Sequence, residues 1–106
     1  MNLDMGNVFK EMAAAADNAL QGEVGSLGGE ILSVLNMNRE SLSELAAAYS
    51  CGDITEEEFD VELQREKSIL EAEMLSLEIA PKSAVQKAMN VAMDTLKQAA
   101  NKARPN

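Results

Sequence analysis

The apolar residues in the first third of the chain recur every three or four positions, which is the period of an α-helix. The pattern extends from about Asp4 to Leu35 without a change of phase. It therefore predicts helix throughout this segment. Its apolar members are Met5, Phe9, Met12, Ala16, Leu20, Val24, Leu27, Ile31 and Leu35.

Four glycines interrupt the same segment and leave two interpretations open. Gly22, Gly25, Gly28 and Gly29 would each cost up to about 1 kcal/mol relative to alanine inside a helix. Either one long helix continues and the glycines let a neighbour approach, or the helix breaks into two between Gly22 and Gly29. We favour one long helix because the apolar period is unbroken. We interpret the Gly25-x-x-x-Gly29 step as a close helix crossing.

Three further helices are predicted after a turn at residues 36–38. Asn38 is placed to cap the second helix, and Pro81 ends the third because a residue before proline avoids helical geometry. Ser83 and Gln86 have the spacing of a capping box for the last helix. The three helices cover about Arg39–Cys51, Glu56–Ile79 and Ala84–Ala103. The apolar line of the third is Phe59, Leu63, Leu70, Met74 and Leu77, with Ile69 beside it.

The stretch Gly52-Asp-Ile-Thr-Glu-Glu-Glu-Phe59 predicts the joint between the second and third helices. Gly52 can take the left-handed conformation that closes a helix. Thr55 and Glu58 have capping-box spacing, so each side chain can bond the backbone N–H of the other. Ile54 and Phe59 have the spacing of a hydrophobic staple, which fixes the angle at which the chain enters the helix.

The joint resembles the short helical hairpin called SHOCT, which carries Gly-x-Ile-Thr-x-x-Glu-Phe between two helices. The resemblance covers about thirty residues and implies only a hairpin; Leu63 stands where that family usually has a basic residue. The residues of this joint also resemble the second half of a calcium-binding EF-hand loop. The first three ligand positions would then be Ala47, Tyr49 and Cys51, which cannot supply the six or more oxygens that Ca²⁺ requires. We therefore interpret the joint as structural.

Composition favours an all-α fold. Aromatic residues make up 3% of the chain, so the core must consist of Leu, Ile, Val, Met and Ala, which suits closely packed helices. We predict one domain over residues 1–106, a small antiparallel bundle of four helices, with a frayed tail at 104–106. The first helix would be about 45 Å long and the second only about 18 Å. Because this mismatch leaves an apolar stripe uncovered, we expect a homo-oligomer, specifically a dimer.

The negative charge is concentrated in one part of the chain. Net charge is −9, and residues 53–80 carry ten acids against only Arg65 and Lys67. After Pro81 the sign reverses, with five basic residues facing Asp94 alone. We therefore predict that the acidic third helix and the basic last helix lie side by side. Neither nucleic acid nor a membrane is an expected partner, since the protein as a whole would repel phosphate.

The residue types do not suit an enzyme. The chain has no histidine, which removes the most common general base and the Glu-x-x-His signature of di-iron bundles. Cys51 is the only cysteine, so no internal disulfide forms, and its helix C-terminal position does not favour a thiolate. We expect no catalytic residue, metal or cofactor. A lone cysteine and the absence of a signal-peptide pattern favour a cytoplasmic location.

The sequence therefore favours a non-enzymatic protein-interaction module, such as an adaptor, a secretion-type chaperone or an assembly subunit. The alternative is an acidic inhibitor or immunity-type protein that neutralises a basic target. The expected partner or dimer contact lies on the first helix, at Leu20, Val24, Gly25, Leu27, Gly29, Ile31 and Leu35. The expected acidic face lies on the third helix, at Glu58, Glu62, Glu66 and Glu73.

Overall fold

Helices account for most of the chain. A computed structural model describes residues 3–105. Within these residues there is no β-strand beyond an isolated bridge between Glu23 and Gly25. The all-α prediction is confirmed, but the described chain has five helices, so the prediction of four is wrong. They are α1 (Met5–Leu20), α2 (Gly28–Met37), α3 (Arg39–Ser50), α4 (Glu56–Ser76) and α5 (Lys82–Ala103).

The fifth helix arises because the predicted long first helix breaks after Leu20. Gln21 and Gly22 both adopt left-handed backbone conformations, with φ of 48° and 79°, and these end α1. Gly25 has φ of 77°, so the loop turns a second time before α2 begins. The prediction of one continuous helix is therefore wrong. The apolar period runs through the break because α2 folds back against α1 and both helices bury their apolar side chains in the same core.

Asp17, near the end of α1, holds the beginning of α2. Its carboxylate accepts hydrogen bonds from the backbone N–H of Leu27 at 2.7 Å and from the hydroxyl of Ser26 at 3.2 Å. No side chain at the N-cap position of α2 caps this helix. The carboxylate also places negative charge beside the positive end of the helix dipole. Asp17 therefore ties the beginning of α2 to the last turn of α1.

Replacing Asp17 by alanine is expected to lower the free energy of unfolding by about 1–2 kcal/mol, because the variant leaves the part-buried N–H of Leu27 without its acceptor. Urea denaturation followed by far-ultraviolet circular dichroism measures the loss. Asn18→Ala is the control, since Asn18 is exposed beside Asp17. Equal stability of the two variants would show that Asp17 does not hold α2.

The core is built around α5, which packs against α1, α3 and α4. Half of the residues that α5 buries are alanines, and such small side chains let neighbouring helices approach closely. The other helices complete the core with larger apolar side chains such as Phe9, Leu42 and Leu70. The buried residues of α5 are Ala84, Val85, Ala88, Met89, Ala92, Met93, Leu96 and Ala100.

The joint between α3 and α4 forms as predicted. Gly52 has φ of 82°, and the Thr55 hydroxyl accepts the N–H of Glu58 at 3.1 Å. The Glu58 carboxylate in turn accepts the N–H of Thr55 at 2.8 Å, which completes the capping box. Phe59 is fully buried and its ring stacks on that of Tyr49, with centroids 4.1 Å apart. The joint therefore brings an aromatic pair into the core.

The end of α4 differs from the prediction. The helix ends at Ser76, three residues before the predicted end, and Leu77 is exposed rather than inward-facing. Glu78 takes a left-handed conformation with φ of 57°, which turns the chain toward α5. No side-chain hydrogen bond caps α5, so the predicted box of Ser83 and Gln86 does not form.

Asn38 occupies the N-cap position of α3, as predicted, but its side chain does not cap that helix. Its amide group instead donates to the backbone carbonyl of Val34 at 2.9 Å and to the carboxylate of Glu73 at 2.7 Å. Because Glu73 lies on α4, these bonds tie the turn between α2 and α3 to α4.

The acidic α4 and the basic α5 pack side by side, as predicted, and Lys97 connects them. Its ammonium group lies 2.7 Å from a carboxylate oxygen of Asp60 and 3.1 Å from one of Glu56. Hydrogen bonding to Asp60, and then to Glu56, raises the pKa of Lys97 above its ordinary value. A second lysine of α5, Lys87, lies 3.6 Å from Glu23 in the loop before α2. Two lysines of α5 therefore pair with acids in two different parts of the chain, namely α4 and the loop before α2.

Replacing Lys97 by methionine is expected to cost about 0.2–1 kcal/mol at neutral pH, because both carboxylates are largely exposed and solvent screens the pairs. Since folding raises the pKa of Lys97, its contribution is present below the unfolded-state pKa and is lost as pH rises through the folded-state pKa. Urea denaturation at low and high salt should show the cost shrinking with salt. The control Lys87→Met should lower the free energy of unfolding by less than Lys97→Met. Equal losses that do not depend on salt would show that the ion pairs of Lys97 do not stabilise the fold.

Candidate functional site

Most of the contact surface predicted on the first helix is buried within the chain itself. Leu20, Leu27, Ile31 and Leu35 all belong to the core. In the folded chain these side chains therefore offer no surface to a partner. Val24 is half-buried and packs against the same core.

The two glycines of the predicted crossing, Gly25 and Gly29, are exposed. No atom lies within 4 Å of the position that a Cβ would occupy on either residue. The prediction of a close helix crossing is therefore wrong within this chain. Gly25 is explained instead by its left-handed backbone in the loop.

The four glutamates of the predicted acidic face have different surroundings in the structure. Glu58 belongs to the capping box, and Glu62 lies 3.3 Å from the guanidinium of Arg65. Glu73 accepts the bond from the Asn38 amide, and one oxygen of Glu66 is buried without a hydrogen-bond partner. The predicted acidic face is therefore not a simple solvated surface.

The exposed surface of α4 carries two large apolar side chains, of which the sequence pattern indicated only Ile69. Val61 is 56% exposed and Ile69 is 47% exposed. They are eight positions apart, which separates them by about 80° around the helix and by about 12 Å along its axis. Arg65, between them, and Ala72 are also exposed. We call Val61, Arg65, Ile69 and Ala72 the α4 outer face.

The α4 outer face is unusual because α4 already buries an apolar stripe on its other side. Phe59, Leu63, Leu70 and Met74 are all buried in the core. A surface helix of a monomeric protein ordinarily presents polar residues opposite such a stripe. The position of Ile69 just beside the predicted apolar line was the one signal of this face in the sequence.

The remaining large exposed apolar side chains lie elsewhere. Met37 is 72% exposed at the end of α2, and Leu77 and Ile79 are exposed in the turn after α4. Met37 adjoins Asn38, and Leu77 lies one turn beyond Glu73, so both are near the hydrogen bond that joins those two residues. They form no continuation of the α4 outer face along the helix.

Residues 3–105 contain no cluster of three or more His, Cys, Asp or Glu side chains arranged to hold a metal ion. A surface groove of about 430 Å³ lies between α1 and α5 and is open to solvent. Two of its polar side chains bond each other, since the Asn7 amide donates to Glu11 at 3.2 Å. None of the described helices is long and apolar enough to cross a membrane.

Comparison of the chain with protein-family models, with curated proteins and with solved structures finds no match. The resemblance of the joint to the SHOCT hairpin is thus not supported by a family match. Its capping box and aromatic pair explain the joint without it.

Proposed function

We propose that this protein is a non-enzymatic protein-binding module, and that its contact surface is the α4 outer face. The observation that carries the proposal is the exposure of Val61 and Ile69 on a helix that already buries a separate apolar stripe. Single exposed apolar residues are common, but Val61 and Ile69 lie on one row of positions four apart, together with Arg65, and a partner helix can pack against such a row. An adaptor or an assembly subunit would use such a surface.

The alternative is an acidic inhibitor or immunity-type protein. It is supported by the charge of α4, which carries eight carboxylates against Arg65 and Lys67. Such a field attracts basic targets and speeds their association. Both functions would use the same helix, and they differ in whether binding blocks the activity of the target.

The test compares the wild-type protein with the double variant Val61→Ser, Ile69→Ser. Each protein is crosslinked in extracts of the cells that produce it, and the captured proteins are identified. We expect a partner that is recovered with the wild type and lost with the double variant. Met37→Ser is the matched control, because Met37 is a large, exposed apolar residue outside the α4 outer face.

A partner recovered equally with all three proteins, or no specific partner at all, would contradict the proposal. Circular dichroism must show the variants folded, as expected for substitutions at exposed positions. Inhibition of a captured partner's own activity would favour the inhibitor function over the adaptor function.

Homodimerisation stays a prediction, as does the cytoplasmic location. The reason for expecting a dimer was one long helix with an uncovered stripe, and α1 and α2 instead cover each other within the chain. Sedimentation equilibrium at several concentrations measures the oligomeric state directly.

A further inference from the structure

We infer that the partner of the α4 outer face is a cationic amphipathic helix that packs lengthwise against α4. This inference rests on the proposed function and specifies the chemistry of its partner.

The face suits a helix better than other peptide conformations. A strand binds by hydrogen bonding to an exposed sheet edge, and residues 3–105 form no sheet. A proline-rich segment binds in an aromatic-lined groove, but Phe9, Tyr49 and Phe59 are all buried. A partner helix can instead place its own apolar residues, spaced at three and four, along Val61 and Ile69.

The charge around the face specifies a basic partner. Glu57, Glu58 and Glu62 lie within one turn of Val61, and all three are exposed. Arg65 contacts Glu62, but no ion pair joins Glu57 or Glu58 to a basic side chain among the described residues. A helix with lysine or arginine beside its apolar stripe would complement this field. Two copies of α4 would repel each other, so a second copy of this chain fits the face poorly.

The size of the face sets the strength of binding. Val61 and Ile69 are its only large apolar side chains, so the interface is small and the complex should be transient. Much of the attraction is electrostatic, and we therefore expect the affinity to fall as salt is added. Removing both side chains should weaken binding roughly tenfold or more, since about 1.4 kcal/mol of lost apolar burial corresponds to tenfold.

The experiment uses a synthetic helical peptide of about 18 residues, enough for five turns. Its leucines form one stripe and its lysines flank that stripe. A second peptide has the same composition in an order that breaks the stripe. Each is titrated into the full-length protein, with binding followed by fluorescence anisotropy and mapped by amide chemical shifts in NMR.

We expect the striped peptide to bind, to shift amides in residues 57–72, and to lose at least tenfold in affinity with the double variant Val61→Ser, Ile69→Ser. Met37→Ser should change the affinity by less than about twofold. Equal binding of the two peptides would overturn the inference, because charge alone would then explain the binding. Shifts confined to another surface, or self-association of the wild type through residues 57–72, would also overturn it.

The inference and the proposed function can fail separately. If the striped peptide does not bind but a cellular partner still depends on Val61 and Ile69, the partner chemistry is wrong and the protein-binding function stands. If neither binding event depends on these two residues, both are wrong.

Discussion

Replacing Phe59 by alanine is expected to lower the free energy of unfolding by about 3–5 kcal/mol. The Phe59 side chain is fully buried, and its ring lies nearly parallel to that of Tyr49, with an angle of 8° between the planes. The guanidinium of Arg104 lies 4.4 Å from the Tyr49 ring, so the aromatic pair also anchors the residue that follows α5. Truncating Phe59 would leave a cavity where α3, α4 and α5 meet. Urea denaturation measures the loss.

Two controls separate the aromatic contact from simple burial. Phe59→Leu keeps most of the apolar volume and removes the ring stacking, so it should cost clearly less than Phe59→Ala. Val61→Ala, two residues away on the exposed side, should change stability by no more than about 0.5 kcal/mol. If Phe59→Ala cost no more than Val61→Ala, the joint would not be part of the core.

The second large effect is expected at Ile31. Ile31→Ala should lower the free energy of unfolding by about 2–5 kcal/mol, because Ile31 is fully buried in α2 against the core. The loss should be the same at every protein concentration, since the side chain packs within its own chain. Denaturation at a low and a high protein concentration provides the measurement.

A contact between two chains would behave differently. If Ile31 lay in a dimer interface, the stability of the wild type would rise with protein concentration and the variant would lose that dependence. That outcome would restore the sequence-based assignment of Ile31 as a dimer contact. Ser33→Ala, an exposed position on the same helix, is the control and should have little effect.

The parts of the fold that depend on residues close in sequence, or on the distribution of charge along the chain, were predictable from sequence. The capping box of Thr55 and Glu58 joins positions three apart, so the residue types at these two positions are enough to predict its geometry. The packing of α4 against α5 followed from opposite charges and is observed at Lys97. Both predictions required only the chain's local order or its charge pattern.

The break after Leu20 was missed because periodicity reports which face is buried and not whether the helix continues. Leu20 and Leu27 point into one core from opposite sides of a loop, so their spacing imitates a single helix. The real signal was the concentration of glycines from Gly22 onward. The left-handed Gln21 carries no such signal, since it is not glycine.

The candidate surface was missed for a related reason. α4 has apolar residues on two sides, and the sequence does not show which side its neighbours cover. The positions of α2, α3 and α5 against α4 leave Val61 and Ile69 exposed while Phe59 is buried. The acidic residues were visible in the sequence, but the hydrogen bond between Glu73 and Asn38, 35 positions apart, depends on the tertiary fold.

The position of Tyr49 determines which part of this protein tyrosine spectroscopy reports on. It is the only tyrosine, the chain has no tryptophan, and its hydroxyl donates a hydrogen bond to Asn101 on α5. Tyrosine fluorescence and near-ultraviolet circular dichroism will therefore follow the meeting of α3, α4 and α5. An opening of the loop between α1 and α2 would leave the tyrosine signal unchanged. If the tyrosine signal and the far-ultraviolet circular dichroism of the helices change together during unfolding, the region around Tyr49 and the rest of the helices unfold together.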